Sequence, residues 1–232
     1  MGTIKRRALI GAAAACLAAL TASSALAAMI EGTDGDDRLF GTRGADAISA
    51  LAGNDGVFAR AGNDRVDAGE GNDSVFGNAG RDHLFGGLGD DFVDAGRGPD
   101  VAYGSDGNDT VLGRQGRDEV RGRSGDDIVR GGRDGDLVFA GPGVDTTFGG
   151  PGADVMLALA QSDVDLPGGD TVFGGRGNDR IRVNDGEADR VDCGAGRDRV
   201  VVDQGDLDSV SDCELIRVRA PRERDDDQEV GS

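Results

Sequence analysis

The sequence predicts an all-β fold of short strands wound into stacked coils, and three observations carry that prediction. A nine-residue pattern runs from residue 32 to residue 157 through fourteen consecutive units without a gap. Glycine or alanine opens each unit, glycine returns at the fourth place, aspartate holds the sixth and an aliphatic residue the eighth. Composition leaves little for an ordinary globular core, since the 232 residues include no tryptophan, one tyrosine and eight phenylalanines against 42 glycines.

The pattern has few exceptions. The sixth place is aspartate in all fourteen units, the fourth is glycine except at Asp134, and the eighth is Val, Ile, Leu or Met except at Ala102 and Thr147. Composition alone would suggest an acidic, glycine-rich disordered segment. A register held over 126 residues points instead to a repeat architecture.

Each place has a physical role. Glycines at the first and fourth places make GxxGxD a tight turn. The seventh to ninth places, as in Arg65-Val66-Asp67, suit a short strand whose middle side chain points inward and whose neighbours point out. Two units then make a coil of eighteen residues, and coils stack at about 4.8 Å. One inward aliphatic side chain per unit offsets only part of the backbone entropy lost on ordering it, so stability has to come from stacking. Stacking also superposes the aspartates of alternate units into ladders of like charge, which need something positive between them. The loops offer carboxylates and carbonyls, the repeats contain no cysteine, and the chain has a single histidine, His83. Such ligands exclude soft-metal sites and favour Ca²⁺ over Mg²⁺, which demands stricter geometry.

The pattern resembles the RTX, or hemolysin-type calcium-binding, nonapeptide repeat GGxGxDxUx. The likeness covers residues 32–157 and returns in GGRGNDRIR at 174–182. It implies a right-handed parallel β-roll with Ca²⁺ held between stacked turns. By this resemblance the side-chain ligands are Asp37, Asp46, Asp55, Asp64, Asp73, Asp82, Asp91, Asp100, Asp109, Asp118, Asp127, Asp136, Asp145, Asp154, Asp170 and Asp179, with turn carbonyls completing each site. The second place departs from the family pattern, being glycine only at Gly69, Gly87, Gly96, Gly132, Gly141 and Gly150. That departure bears on individual sites more than on the fold.

The two edges of the roll differ. Fifth places of odd-numbered units read Asp36, Asn54, Asn72, Asp90, Asn108, Asp126 and Val144, whereas even-numbered units read Ala45, Asn63, Arg81, Pro99, Arg117, Gly135 and Ala153. Asn and Asp tolerate turn conformations and accept bonds through their side chains. The odd edge is therefore predicted to hold the tighter calcium row, with Arg81 and Arg117 partly replacing cations on the other. Aromatic residues gather at the ninth place, as Phe40, Phe58, Phe76, Phe85, Tyr103, Phe139, Phe148 and Phe173. They form either an exposed stripe or packing between neighbouring coils.

Residues 1–27 read as a secretory signal: Lys5, Arg6 and Arg7 precede a short apolar run, and Ala25-Leu26-Ala27 is a small-residue cleavage site. Cleavage removes three basic residues and no acidic one, taking the net charge from −19 to −22. The run is too short for a comfortable bilayer span. Residues 28–157 form the roll, and 158–182 hold a seven-residue interruption, ALAQSDV, followed by two further repeats. A bulged or missing coil edge is predicted at the interruption. Residues 183–218 are degenerate repeats read as a cap, in which Cys193 and Cys213 are predicted to form a disulfide because the chain is exported. Residues 219–232 read as a disordered tail.

The function predicted is that of a secreted, extracellular calcium-binding structural or interaction module whose roll orders on binding Ca²⁺. Strong negative charge opposes nucleic acid and anionic lipid as partners. A polysaccharide, the cell wall or another protein stays open as the partner. An RTX-type enzyme or toxin accessory is the alternative, but the chain contains neither HExxH nor GxSxG, so it is not predicted to be an enzyme.

Overall fold

The structure is a computed structural model that describes residues 27–158, 169–183, 188–203 and 208–219. Nearly all of the signal segment, most of the 158–164 interruption and the tail beyond Arg219 lie outside the described residues. Every regular element described is a β-strand. Successive strands alternate between two parallel sheets. One runs through eleven strands from Met29–Glu31 to Leu215–Arg219, the other from Arg38–Phe40 to Ser209–Ser211. Paired residues stand one coil apart, as Val66 does from Leu84 and Leu84 from Ala102. The chain is a parallel β-solenoid with two nonapeptides per coil.

The core is the inward column of each sheet. Val57, Val66, Val75, Leu84, Val93, Val111, Val120 and Val129 are wholly buried at the eighth place, and the two departures, Ala102 and Thr147, are buried in the same columns. First-place alanines, Ala50, Ala59, Ala68, Ala95 and Ala140, are buried as well. Two inward positions per strand, separated by an outward one, follow from the period of two.

Most central strands run for six residues, such as Ser74–Ala79, where the repeat predicts three. The ladder continues into the expected turn because second- and third-place main-chain groups bond between coils: Ala79 N–H donates to the Arg60 carbonyl, and Gly80 N–H to that of Arg97, both at 2.9 Å. This continuation requires positive φ at the second place, seen at Leu51, Arg60, Asn78, Ser105, Arg114 and Arg123 as well as at glycines. A side chain there costs about 1–2 kcal/mol, which accounts for the glycines found in other units. The fourth place is tighter still: a β-carbon on Gly80 would run into the carbonyl of Gly62.

The interruption adds chain without removing a strand. Thr146 pairs with Thr171 and Val155 with Arg180, a spacing of 25 where the preceding coils have 18. Both sheets therefore continue across it with no strand lost from either. Residues beyond Val183 continue both sheets through Arg190–Asp192, Arg199–Asp203, Ser209–Ser211 and Leu215–Arg219. The predicted Cys193–Cys213 disulfide is present, with Cys193 buried in the inward row.

Of the two readings of the ninth-place aromatics, the structure shows packing between coils. Phe40, Phe58 and Phe76 stack at 5.1 and 5.0 Å, and Phe85–Tyr103 and Phe148–Phe173 at 4.9 Å. Arginines lie over other ring faces, as Arg121 does on Phe139 at 3.9 Å.

Leu84 is fully buried while Leu88, on the same strand, is half exposed. Leu84→Ala is expected to cost about 2–5 kcal/mol and Leu88→Ala almost nothing, as measured by denaturant unfolding in saturating Ca²⁺.

Candidate cation columns

Each sixth-place aspartate ends a turn and precedes a strand, so the winding of the chain places it directly above its counterpart one coil away. All sixteen aspartates singled out from the sequence fall into two such columns, one on each edge. One holds Asp37, Asp55, Asp73, Asp91, Asp109, Asp127, Asp145 and Asp170, the other Asp46, Asp64, Asp82, Asp100, Asp118, Asp136, Asp154 and Asp179. Asp37 is half-buried at the open end, and the other fifteen are at most 3 % exposed.

One rule of bonding links each column. After Asp37, the Oδ1 of each aspartate accepts the main-chain N–H of the sixth-place residue one coil earlier: Asp73 N–H to Asp91 Oδ1 at 2.8 Å, Asp118 N–H to Asp136 Oδ1 at 2.9 Å. The rule survives the interruption, where Asp145 N–H reaches Asp170 and Asp154 N–H reaches Asp179 at 2.8 and 2.9 Å. It also extends the columns beyond the sequence reading, to buried Asp189 and Asp198, and ends on Asp208 and Glu214. The signal for these was present as aspartate two residues before an inward valine, in Asp189-Arg190-Val191 and Asp198-Arg199-Val200.

The second carboxylate oxygen has a different situation. Among the described residues, Oδ2 is buried without a hydrogen-bond partner in thirteen of the sixteen, from Asp55 through Asp154 and again at Asp179. Asp37 and Asp46 differ, because the N–H groups of Thr33 and Thr42 donate to their Oδ2 atoms at 2.6 and 2.5 Å. The first two units are therefore the poorest candidates for a cation. Carbonyls approach the same space elsewhere: a β-carbon on Gly131 would stand 2.7 Å from Asp136 Oδ2 and 2.9 Å from the Gly149 carbonyl.

Burial dominates the electrostatics. It pushes Asp91, Asp109 and Asp127 up to about 7 and Asp100, Asp136 and Asp145 up to about 8, against the lowering effect of the bonded N–H. Neighbouring carboxylates in the column raise Asp100, Asp136 and Asp145 further. The highest values occur on both edges.

The fifth-place Asn and Asp side chains of the odd edge form a second ladder of opposite polarity. Asn72 N–H donates to Asn54 Oδ1 at 2.8 Å, and Asp126 N–H to Asn108 Oδ1 at 2.7 Å. Their oxygens bind the backbone of the next coil. On the even edge, Arg81, Pro99 and Arg117 border a shallow groove of about 520 Å³ floored by Asp100, Asp118 and Asp136. Neither arginine forms an ion pair with a sixth-place aspartate among the described residues, contrary to expectation. Arg117 Nε donates to the Gly135 carbonyl at 3.1 Å, and Arg81 lowers Asp100 as the smallest of its causes. Both residues are exposed.

The RTX calcium-binding nonapeptide repeat family matches residues 31–156 without a break and residues 166–200. The chain belongs to this family. No curated protein matches it. RTX repeats are calcium-binding motifs, and the donor set fits such an ion: anionic oxygens buried without partners, beside carbonyls and away from sulfur. Among the described residues no three carboxylate, imidazole or thiol groups gather at one point. An ion on these RTX columns would thus take carboxylates singly or in pairs and draw its remaining oxygens from the backbone or water.

Raised folded-state values set the direction of the pH response. A carboxyl that binds its proton more tightly folded than unfolded adds stability at low pH, and that stability is lost as pH rises through about 6–8. In chelator, the melting temperature followed by circular dichroism is expected to fall between pH 5 and pH 8.5.

Proposed function

We propose that this RTX chain is an exported calcium-binding repeat protein whose solenoid orders on binding Ca²⁺ and serves outside the cell as a structural or interaction module. The observation that carries this reading is the pair of columns of buried carboxylates with an unpartnered Oδ2. A divalent cation between coils would supply the charge that desolvation makes necessary, with Asp55 to Asp154 and Asp179 as side-chain ligands. Binding to the folded state alone would then stabilise it by mass action.

Export rests on the positive start, short apolar run and Ala25-Leu26-Ala27 site of the N-terminal segment. Extracellular calcium modules bind at about 10⁻⁴–10⁻³ M, which suits a chain that stays unfolded where Ca²⁺ is scarce and folds where it is plentiful. Among the described residues no helix is long and apolar enough to cross a membrane. The reading makes the chain a binding protein and not a catalyst: the same carboxylate recurs coil after coil, which supplies ligands in rows instead of one reacting constellation. Its negative charge disfavours nucleic acid as a partner.

Isothermal calorimetry of Ca²⁺ into the full chain, followed by circular dichroism, tests the reading. Ca²⁺-dependent gain of β signal is expected, with fewer ions bound by Asp91→Asn or Asp109→Asn than by the parent. A chain that binds no Ca²⁺ at millimolar concentration, and whose spectrum ignores chelator, overturns it. The same titration on Asp82→Asn and Asp118→Asn compares the edges. If the odd edge is the tighter row, these even-edge substitutions weaken binding less.

A further inference from the structure

The solenoid grows by half-coils, and the described residues stop at both ends with the pattern unfinished. Among them, Leu215–Arg219 and Ser209–Ser211 each pair through one edge only. Ile216 stands in the inward column in register with the buried Val200, yet it is 50 % exposed, and among the described residues no coil follows it. At the opposite end, Met29–Glu31 and Arg38–Phe40 also pair through one edge each among the described residues, and Ile30 and Leu39 hold the inward positions there while only partly buried.

The two ends are complementary under the repeat's own symmetry. One nonapeptide is half a coil, so the place that follows Leu215–Arg219 in the winding lies on the other sheet, over Ser209–Ser211. A second copy rotated by half a turn about the solenoid axis sets its Met29–Glu31 at that place and its Arg38–Phe40 over Leu215–Arg219. Ile30 then covers Val210, and Leu39 covers Ile216. Phe40 comes beside Arg217, the kind of contact that Arg121 and Phe139 make within the chain.

The column bond agrees. Glu214 is the last sixth-place residue of its column among the described residues and accepts from Asp198 N–H at 2.6 Å, but no described carboxylate accepts its own N–H one coil later. Asp37 is the first of the repeats, and among the described residues no N–H from one coil earlier reaches its Oδ1, as one does in the later members; the bonds to its carboxylate from Thr33 go to Oδ2. Half-turn stacking brings these two together.

We infer that folded copies of this chain stack head to tail, the C-terminal end of one on the N-terminal end of the next, continuing both sheets across the junction. The contact is heterologous and does not close, so it builds linear rods, with free strand edges supplying the main-chain bonds. Each copy adds roughly 50 Å at the ordinary strand spacing.

The test uses chain recovered from a secreting host in millimolar Ca²⁺, by sedimentation velocity over a concentration series with electron microscopy of the same samples. Average mass is expected to rise to more than twice that of the monomer, as rods whose lengths are multiples of one copy. Ile216→Asp and Leu39→Asp each block one end, so each variant alone stays monomeric. Their equimolar mixture gives dimers and nothing longer, because one intact end of each kind remains. Circular dichroism on every sample separates failure to associate from failure to fold, whichever agent folds the solenoid. Folded parent chain that stays monomeric throughout, as it would with residues 220–232 or an uncleaved leader over an end, overturns the inference. So does an Ile216→Asp variant that still dimerises by itself.

Discussion

A carboxylate stacked on a carboxylate at every coil is the constraint to which the rest of this structure answers. The aspartate side chain performs two tasks that conflict. Its Oδ1 ties one coil to the next by accepting a main-chain N–H, and this fixes the carboxylate inside the turn, out of water. In the members from Asp55 to Asp154 and in Asp179, Oδ2 is buried with no hydrogen-bond partner among the described residues. The bonded N–H favours the charged form, but burial outweighs it in every shifted member of the columns from Asp55 to Asp154. A proton or a cation would resolve the conflict, and on the function proposed above this couples ligand binding to folding.

The backbone is arranged around this need. Positive φ at the second place keeps the main chain hydrogen-bonded through the turn, even where Leu51, Arg60 or Arg123 bears the strain. Small residues at the first place leave room for the carboxylate, and alanine suffices in five units. The exterior adds little shape of its own: ninth-place rings stack on one another or lie under arginine, so their faces are largely occupied. What remains accessible is found on the turns and at the two ends.

Much of this was legible in the sequence because each requirement recurs every nine residues. The coil, the inward column, the two aspartate ladders and the disulfide could all be read from residue spacing and compartment. Strand length could not, because second-place strain is visible in sequence only as an incomplete preference for glycine. Asp189 and Asp198 were passed over because the spacing there becomes 19 and the glycines thin out, although aspartate and inward valine kept their places. The fate of Arg81 and Arg117 was also hidden. Their sequence places them at the even edge, but the direction in which a long side chain leaves a turn depends on the neighbouring coil, as the bond from Arg117 to the Gly135 carbonyl shows.

On this reading buried charge, and not the winding itself, is what destabilises the roll when no cation is bound. Replacing Asp91, Asp109 and Asp127 together by asparagine keeps an acceptor at Oδ1 and removes three adjacent charges from one column. The measurement is the melting temperature of this triple variant and of the parent in chelator at pH 8. The account predicts a higher melting temperature for the variant, with a smaller gain on adding Ca²⁺. A variant that depends on Ca²⁺ as fully as the parent, and melts no higher without it, would contradict the account.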